Sequence, residues 1–319
     1  MNKKLVKQIA AIAGVAAIFA LIDLGVYSTL VKRNISHHSP GMQKMSVETK
    51  DYVPFSEGSY IKSVDTDMKI SENIPVIDGA AALLPVYAGF VESVYPESAV
   101  KFNGSDYDAD SKMQYTNTRG AFKSIVDGKA DIIICAQPSD KQLEYAHENG
   151  VELELVPIGT DAFVFIVNAN NPVSGLTTDQ IKDIYSGKIR KWSEVGGSNH
   201  LISALTRNEG SGSQTALQKL MGDTPIAKDY DIFAGSPIGF SFRYYVTGML
   251  EEGGVKMLAV NGVDPTPENI ANGSYPIGGD FYAIYRKGEP NPNVTKFIDW
   301  MQSDEGQKIV AETGYIPLG

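Results

Sequence analysis

The sequence predicts an α/β fold, and three observations carry that expectation. Strand-like apolar runs alternate with helical patterns from residue 74 onward. One run, Ala130-Asp131-Ile132-Ile133-Ile134-Cys135-Ala136, is apolar on both faces, as a strand covered by helices on both sides must be. Two extended stretches, 162–168 and 275–285, are long enough to cross between two lobes. The alternation predicts a mostly parallel sheet with ligands at the C-terminal ends of its strands.

The chain of 319 residues is long enough for one large or two ordinary domains with substantial cores. Its formal charge of -10 argues against nucleic acid as a partner, because that ligand needs a basic face. The same charge means that any anion bound here is held by local donors and not drawn in by the overall field. The single cysteine, Cys135, lies in the apolar run above, which excludes disulfides and thiolate metal clusters. None of the four histidines has a companion at metal-ligand spacing, so neither a metal nor a cofactor is expected.

In chain order, a short basic start leads into residues 9–31, almost wholly apolar with Asp23 the one charge, and Lys32-Arg33 closes the run. Roughly 20 apolar residues span a bilayer, so residues 1–33 read as an N-terminal transmembrane helix. An uncleaved signal-anchor is the first reading and a cleaved signal peptide the second. Residues 34–72 turn polar and read as a linker. A short strand at 74–78 then meets a glycine turn and a helix with Val86, Tyr87, Phe90, Val91 and Val94 on one face. Residues 100–102 read as a further strand, and a helix capped by Asn117 or Thr118 runs through Ile125. After the buried strand at 130–136, the turn Gln137-Pro138-Ser139-Asp140 opens another helix. Residues 151–157 and 162–168 read as two strands. Thr177 placed three residues before Gln180 forms a capping box. Later segments are read as strands at 255–260 and 275–285, with an amphipathic helix through Val294, Phe297, Ile298, Trp300 and Met301. Trp192 reads as packing.

The stretch Leu205-Thr206-Arg207-Asn208-Glu209-Gly210-Ser211-Gly212-Ser213 joins a strand to a helix through a glycine-punctuated turn. Gly210 and Gly212 permit close backbone approach. Ser211 and Ser213 fall at the N-cap and first turn, where unpaired N–H groups and the helix dipole suit a small oxyanion. Arg207 could clamp that anion bidentately. Taken alone, the stretch could equally be a Gly/Ser surface turn with an exposed arginine.

Several segments together resemble the periplasmic phosphate-binding proteins of ABC importers, which have the two-lobe type II periplasmic-binding-protein fold. Residues 178–192 are similar to that family's segment ending in Gly-Lys-Ile and a tryptophan. Arg207 with Glu209-Gly210-Ser211-Gly212-Ser213 is similar to its phosphate loop. Asp78-Gly79-Ala80-Ala81-Ala82 resembles the first phosphate-binding turn, and Tyr275-Pro276-Ile277 the return strand. The resemblance implies phosphate binding by Arg207, Ser211, Gly212 and Ser213, by Thr118 at a helix start, and by backbone N–H groups near Ala81 and Ala82. It also implies an ABC permease as partner and a place on the extracytoplasmic face of the membrane. The implied lobes are residues 73–162 with 276–319, and 163–275, closing by a hinge at the two crossings. Two departures stand out. Ala81 replaces a hydroxyl residue, and Ala136 replaces an aspartate that accepts the proton of hydrogen phosphate. Gln137 nearby is the candidate substitute, and looser discrimination among oxyanions is expected.

An enzyme would need a nucleophile–base pair or a metal constellation. No G-x-S-x-G elbow occurs, and neither His147 nor His200 is tied by motif to Ser211. A nucleotide loop would end in G-K-[ST], which is absent. The expectation is therefore a non-enzymatic binder of inorganic phosphate or a similar oxyanion for transport. The alternative is a membrane-tethered oxyanion sensor of the same fold.

Overall fold

The computed structural model describes residues 49–227, 235–249 and 254–319. The expected N-terminal membrane helix, the first part of the expected linker and the segment around Tyr230 lie outside the described residues. Among the described residues, no helix is long and apolar enough to cross a membrane.

The elements in order are β1 (Ile77–Gly79), a 3-10 turn (Ala81–Leu83) leading directly into α1 (Leu84–Val94), α2 (Asn117–Val126), β2 (Ile132–Ala136), α3 (Asp140–Glu148) and β3 (Leu153–Asn168). Next come β4 (Gly175–Leu176), α4 (Thr178–Ser186), β5 (Ile202–Ala204), α5 (Gly212–Met221), β6 (Ser236–Phe242) and α6 (Arg243–Gly248). The chain finishes with β7 (Val255–Met257), β8 (Ala259–Val260), α7 (Pro267–Ala271), β9 (Gly278–Arg286), α8 (Pro292–Met301) and α9 (Asp304–Thr313).

Seven strands form one sheet in the order β1-β2-β9-β3-β6-β5, with β7 also on β3. The mostly parallel sheet expected from the alternation is in fact mixed. β1–β2 and β5–β6 are parallel, while β9 runs antiparallel to both β2 and β3, and β6 and β7 run antiparallel to β3. Parallel pairing needs a crossover for every strand. The two long strands that carry the chain from one lobe to the other and back supply the antiparallel centre instead.

β3 is the pivot of this two-lobe arrangement. The two strands expected at 151–157 and 162–168 are one strand of 16 residues. From Leu153 to Ala162 it pairs with β9, and from Phe163 onward it pairs with β6 and β7. A register shift between Pro157 and Gly159 marks where proline, with no N–H to donate, interrupts the ladder. The strand expected at 255–260 divides into β7 and β8 around the buried Leu258. Residues 100–102 form no strand; only a single bridge joins Phe102 to Tyr107.

The first lobe's core joins β1, β2 and α1 to α8 and α9. Phe90, Tyr95, Phe297 and Trp300 meet as rings within about 5–6 Å. Trp192 is buried in the second lobe and donates its indole N–H to the Ser236 carbonyl, as packing requires. Of the expected linker, the described part (49–72) is a strap laid on the domain. The Val64 N–H donates to Ser93 Oγ, the Ile70 N–H to the Val94 carbonyl, and Thr66 Oγ1 to Glu305. Sequence polarity misreads this stretch because it is held by hydrogen bonds and by a few buried side chains, Tyr52, Val53 and Ile70.

The strap approaches α1 so closely that a Cβ at Gly89 would overlap the Lys62 carbonyl. Gly89→Ala is therefore expected to lower stability by about 1–3 kcal/mol. Limited proteolysis should show the strap cut faster in this variant, whereas an unchanged melting midpoint and digestion pattern would contradict the packing.

Candidate functional site

Three helical starts converge where β3 and β9 cross. The 3-10 turn after β1 contributes Ala82, α2 contributes Thr118 and α5 contributes Gly212, and all three line one small cavity. Its free volume of about 20 Å³ is a little more than the roughly 10–15 Å³ that one water needs. A drug-sized or sugar-sized ligand, which needs roughly 300 Å³ or more, has no room in this closed arrangement. Leu83, Phe242 and Phe281 supply apolar wall, and such a lining strengthens any charge interaction inside it.

Each start is fixed by its own local chemistry. Ser211 is the N-cap of α5, with its Oγ accepting the Gln214 N–H at 3.2 Å, as its position in the loop predicts. The Gly212 and Ser213 N–H groups that follow have no acceptor among the described residues. The α2 start differs from expectation: its N-cap is Thr116, and neither Asn117 nor Thr118 serves. The Thr116 hydroxyl is not capping either, because it donates to the buried Asp78 carboxylate at 2.5 Å, and the Thr116 N–H donates to the same group at 2.9 Å. Asp78 also accepts the Gly79 N–H at 2.7 Å, so one carboxylate ties the end of β1 to the start of α2. Burial pushes the Asp78 pKa up, opposed by its hydrogen bonds from Thr116, Gly79 and Ser124. The N–H groups of Ala81, Ala82 and Thr118 are likewise without an acceptor among the described residues.

The remaining expected site residues lie around the cavity and outside its wall. Ala81 opens the 3-10 turn beside Ala82. Arg207 is half-buried, and its backbone N–H donates to Gln214 Oε1 at 2.8 Å. Burial raises the phenol pKa of Tyr245, and the charge of Arg207 opposes that shift. Gln137 is exposed, and its Oε1 accepts from Lys219 Nζ at 2.6 Å. Glu209 pairs with Lys141 of α3 at 2.9 Å. Gly212 sits so near α2 that a Cβ there would lie 3.3 Å from Thr118 Oγ1. The starts of α2 and α5 therefore meet directly at the cavity.

The structure also brings in residues that sequence reasoning missed. Asp161 on β3 and Asp280 and Gly279 on β9 line the cavity, beside Ala80 and Ala136, which the sequence already places near the site. Asp161 is buried and accepts the Ala162 and Tyr244 N–H groups at 2.8 and 3.2 Å. Arg243 Nε lies 3.7 Å from its Oδ1, too far for a hydrogen bond. Burial pushes the Asp161 pKa up to about 6, against the pull of Arg243 and the two N–H groups. Asp280 accepts the Thr160 hydroxyl at 2.8 Å. The available signal was an acid immediately before the apolar run 162–167, in a strand expected to cross between lobes.

Residues 76–305 match the family model described as the PBP superfamily domain. The chain belongs to that superfamily. Among its PBP relatives, the phosphate-binding protein PstS of Bacillus subtilis is 28% identical over 258 residues, covering 76% of this chain and 80% of that protein. Protein SphX of Synechococcus elongatus is 26% identical over 279 residues, covering 78% and 82%. The putative phosphate ABC transporter substrate-binding protein of Clostridium perfringens, solved with bound phosphate, superposes with a TM-score of 0.58 at 26% identity. It covers 79% of this chain and 100% of that one. An ABC-type phosphate transport receptor from Vibrio cholerae shares the PBP fold, with a TM-score of 0.54 at 20% identity.

The raised pKa of Asp161 has a definite sign in stability. With its folded value near 6 and an ordinary carboxyl near 4, the folded state holds the extra proton between these limits. That contribution is fully present below about pH 4 and is lost as pH rises through about 6, at roughly 1.4 kcal/mol per pKa unit. Thermal melts from pH 4 to 7 should show Asp161→Asn lacking this decline. Equal slopes in variant and wild type would mean that Asp161 is not the group responsible.

Proposed function

We propose that this PBP-superfamily chain is a non-enzymatic binder that captures inorganic phosphate outside the cytoplasm and hands it to an ABC permease. The observation that carries the reading is the meeting of three helical starts, with their unpaired N–H groups, at a cavity sized for a small ion. Such donors stabilise negative charge without bringing a counter-ion. The acidic Asp161 and Asp280 in the same wall favour an oxyanion that still carries hydrogen, because a hydroxyl can donate to a carboxylate while a bare oxygen is repelled by it. Phosphate has that hydrogen at neutral pH and sulfate does not. This replaces the looser discrimination expected from Ala136 alone, since the acid reaches the cavity from the crossing strands. The names of the relatives, phosphate-binding and phosphate-transporting, agree with this chemistry.

In this reading Gly212, Ser213, Thr118 and the Ala81–Ala82 turn donate to the anion, Ser211 holds the α5 start in place, and Arg207 reaches it from the loop. Gln137 serves at the rim through Lys219. Residues 73–162 and 276–319 make one lobe and 163–275 the other, hinged where β3 changes partners. Residues 1–33 serve as a signal-anchor, or as a signal peptide if cleaved, and the protein works on the extracytoplasmic face. A soluble fragment for binding work should begin at Thr49, because the strap is part of the domain.

Isothermal titration with phosphate, sulfate and molybdate tests the reading, and phosphate is expected to bind with clear preference over sulfate. No heat with phosphate would end it. Removing the guanidinium in Arg207→Ala should weaken phosphate by about 10- to 100-fold, the scale of a lost charge-assisted hydrogen bond; undiminished affinity would exclude Arg207 from the site. In Asp161→Asn the repulsion against sulfate is relieved, and the phosphate-to-sulfate ratio should fall by about tenfold, worth 1.4 kcal/mol. A ratio equal to that of wild type would assign selectivity elsewhere.

A further inference from the structure

We infer that Tyr315 is a positioning residue that sets the geometry of the first anion-binding turn. The inference rests on the phosphate reading only for its consequence in affinity. Tyr315 follows α9 and is buried, with its hydroxyl donating to the Ala82 carbonyl. That carbonyl belongs to the 3-10 turn whose Ala81 and Ala82 N–H groups have no acceptor among the described residues and whose Ala82 lines the cavity. The Ala82 carbonyl shares its peptide plane with the Leu83 N–H, which bonds the Ala80 carbonyl at 3.0 Å, so the closing peptide of the turn is held at both ends. Holding it restrains the two short peptides before it, and with them the direction of the Ala81 and Ala82 N–H groups.

The ring itself is held from two further sides of the site. It packs 4.3 Å from the Tyr244 ring of α6, in the other lobe, and 5.2 Å, edge-on, from Phe281 of β9, which lines the cavity. Its neighbours are tied down as well. Arg243 donates to the Gly314 carbonyl, and Ile316 exchanges backbone hydrogen bonds with Thr160 at 2.7 and 3.0 Å, next to Asp161. Residues 314–316 thus touch the binding turn, both crossing strands and α6. Burial raises the Tyr315 phenol well above its usual range, so the group remains a donor at any physiological pH.

Tyr95 provides the control. It is also buried in the first lobe and also donates its hydroxyl to a backbone carbonyl, that of Pro75 at 2.9 Å, but it does not line the cavity. The full chain, as wild type, Tyr315→Phe and Tyr95→Phe, is titrated with inorganic phosphate. Amide hydrogen exchange over residues 80–84 is then followed without phosphate. Tyr315→Phe should lose about five- to tenfold in affinity, the scale of one buried hydrogen bond, and should exchange faster across the turn. Tyr95→Phe should match wild type in both respects even where its melting midpoint falls as far. Unchanged exchange at the turn in Tyr315→Phe, or equal losses in both variants, would overturn the assignment. The exchange comparison decides the role of Tyr315 without reference to any ligand, whereas a wild type that takes up no phosphate would count against the phosphate reading.

Discussion

A small anion stripped of water loses hydration that only strong, well-aimed donors can replace. This chain, at net charge -10, cannot supply them from its overall field. The rest of the structure follows from placing backbone N–H groups at one point. Helical starts are the economical source, because their first N–H groups are unpaired by construction and already aligned with the helix dipole. Bringing three of them together requires elements from both lobes. β1 leads into the first start and holds the second, on α2, through Asp78, and α5 delivers the third. Buried Asp78 then locks the end of β1 against the start of α2, so that two of the three cannot drift apart.

The acids in the wall stand in deliberate tension with those donors. A carboxylate beside an anion site lowers affinity for every fully deprotonated anion, and its benefit is therefore discrimination rather than strength. The surroundings of Asp161 would make that penalty moderate in the proposed reading. Arg243 stands beside it and two backbone N–H groups bond it, while burial keeps its pKa near the point where a proton can be shared. Both acids reach the cavity on the crossing strands, where Thr160 and Asp280 lie opposite one another in register. In the proposed reading, selectivity and lobe connection thus share the same two strands.

Local chemistry was legible in the sequence wherever a single segment decides it. Ser211 caps α5, Thr177 and Gln180 form their capping box, and Cys135 is a buried, inert thiol, each because the determining partners are at most a few residues apart. Segments decided by distant partners were not legible. Thr116 is turned from its cap by Asp78, 38 residues away in sequence. The strap reads as a polar linker because its hydrogen-bond partners are on α1 and α9. Asp161 left only a weak signal, an acid just before an apolar run in an expected crossing strand; the alignment of β3 with β9 is what carries it to the cavity. β3 itself reads as two strands because Pro157 and Gly159 lie between them, and the sheet on both sides is what carries one strand through.

The contacts that hold the lobes together over the cavity have a common character. Lys141–Glu209 joins side chains that are 77% and 58% exposed, and Lys219–Gln137 is also at the surface. Exposed pairs of this kind contribute little, because water competes for both charges and two long side chains must be ordered. They fix the register of closure without being able to enforce it. Buried contacts nearer the crossing strands, Tyr244 against Tyr315 and Arg243 to the Gly314 carbonyl, add to them. In the proposed reading a bound anion adds a further bond, between the N–H groups at the α2 and α5 starts. In the proposed reading this division suits a protein that takes up an anion and later releases it, with weak surface contacts to guide closure and the ligand adding a bond between the lobes.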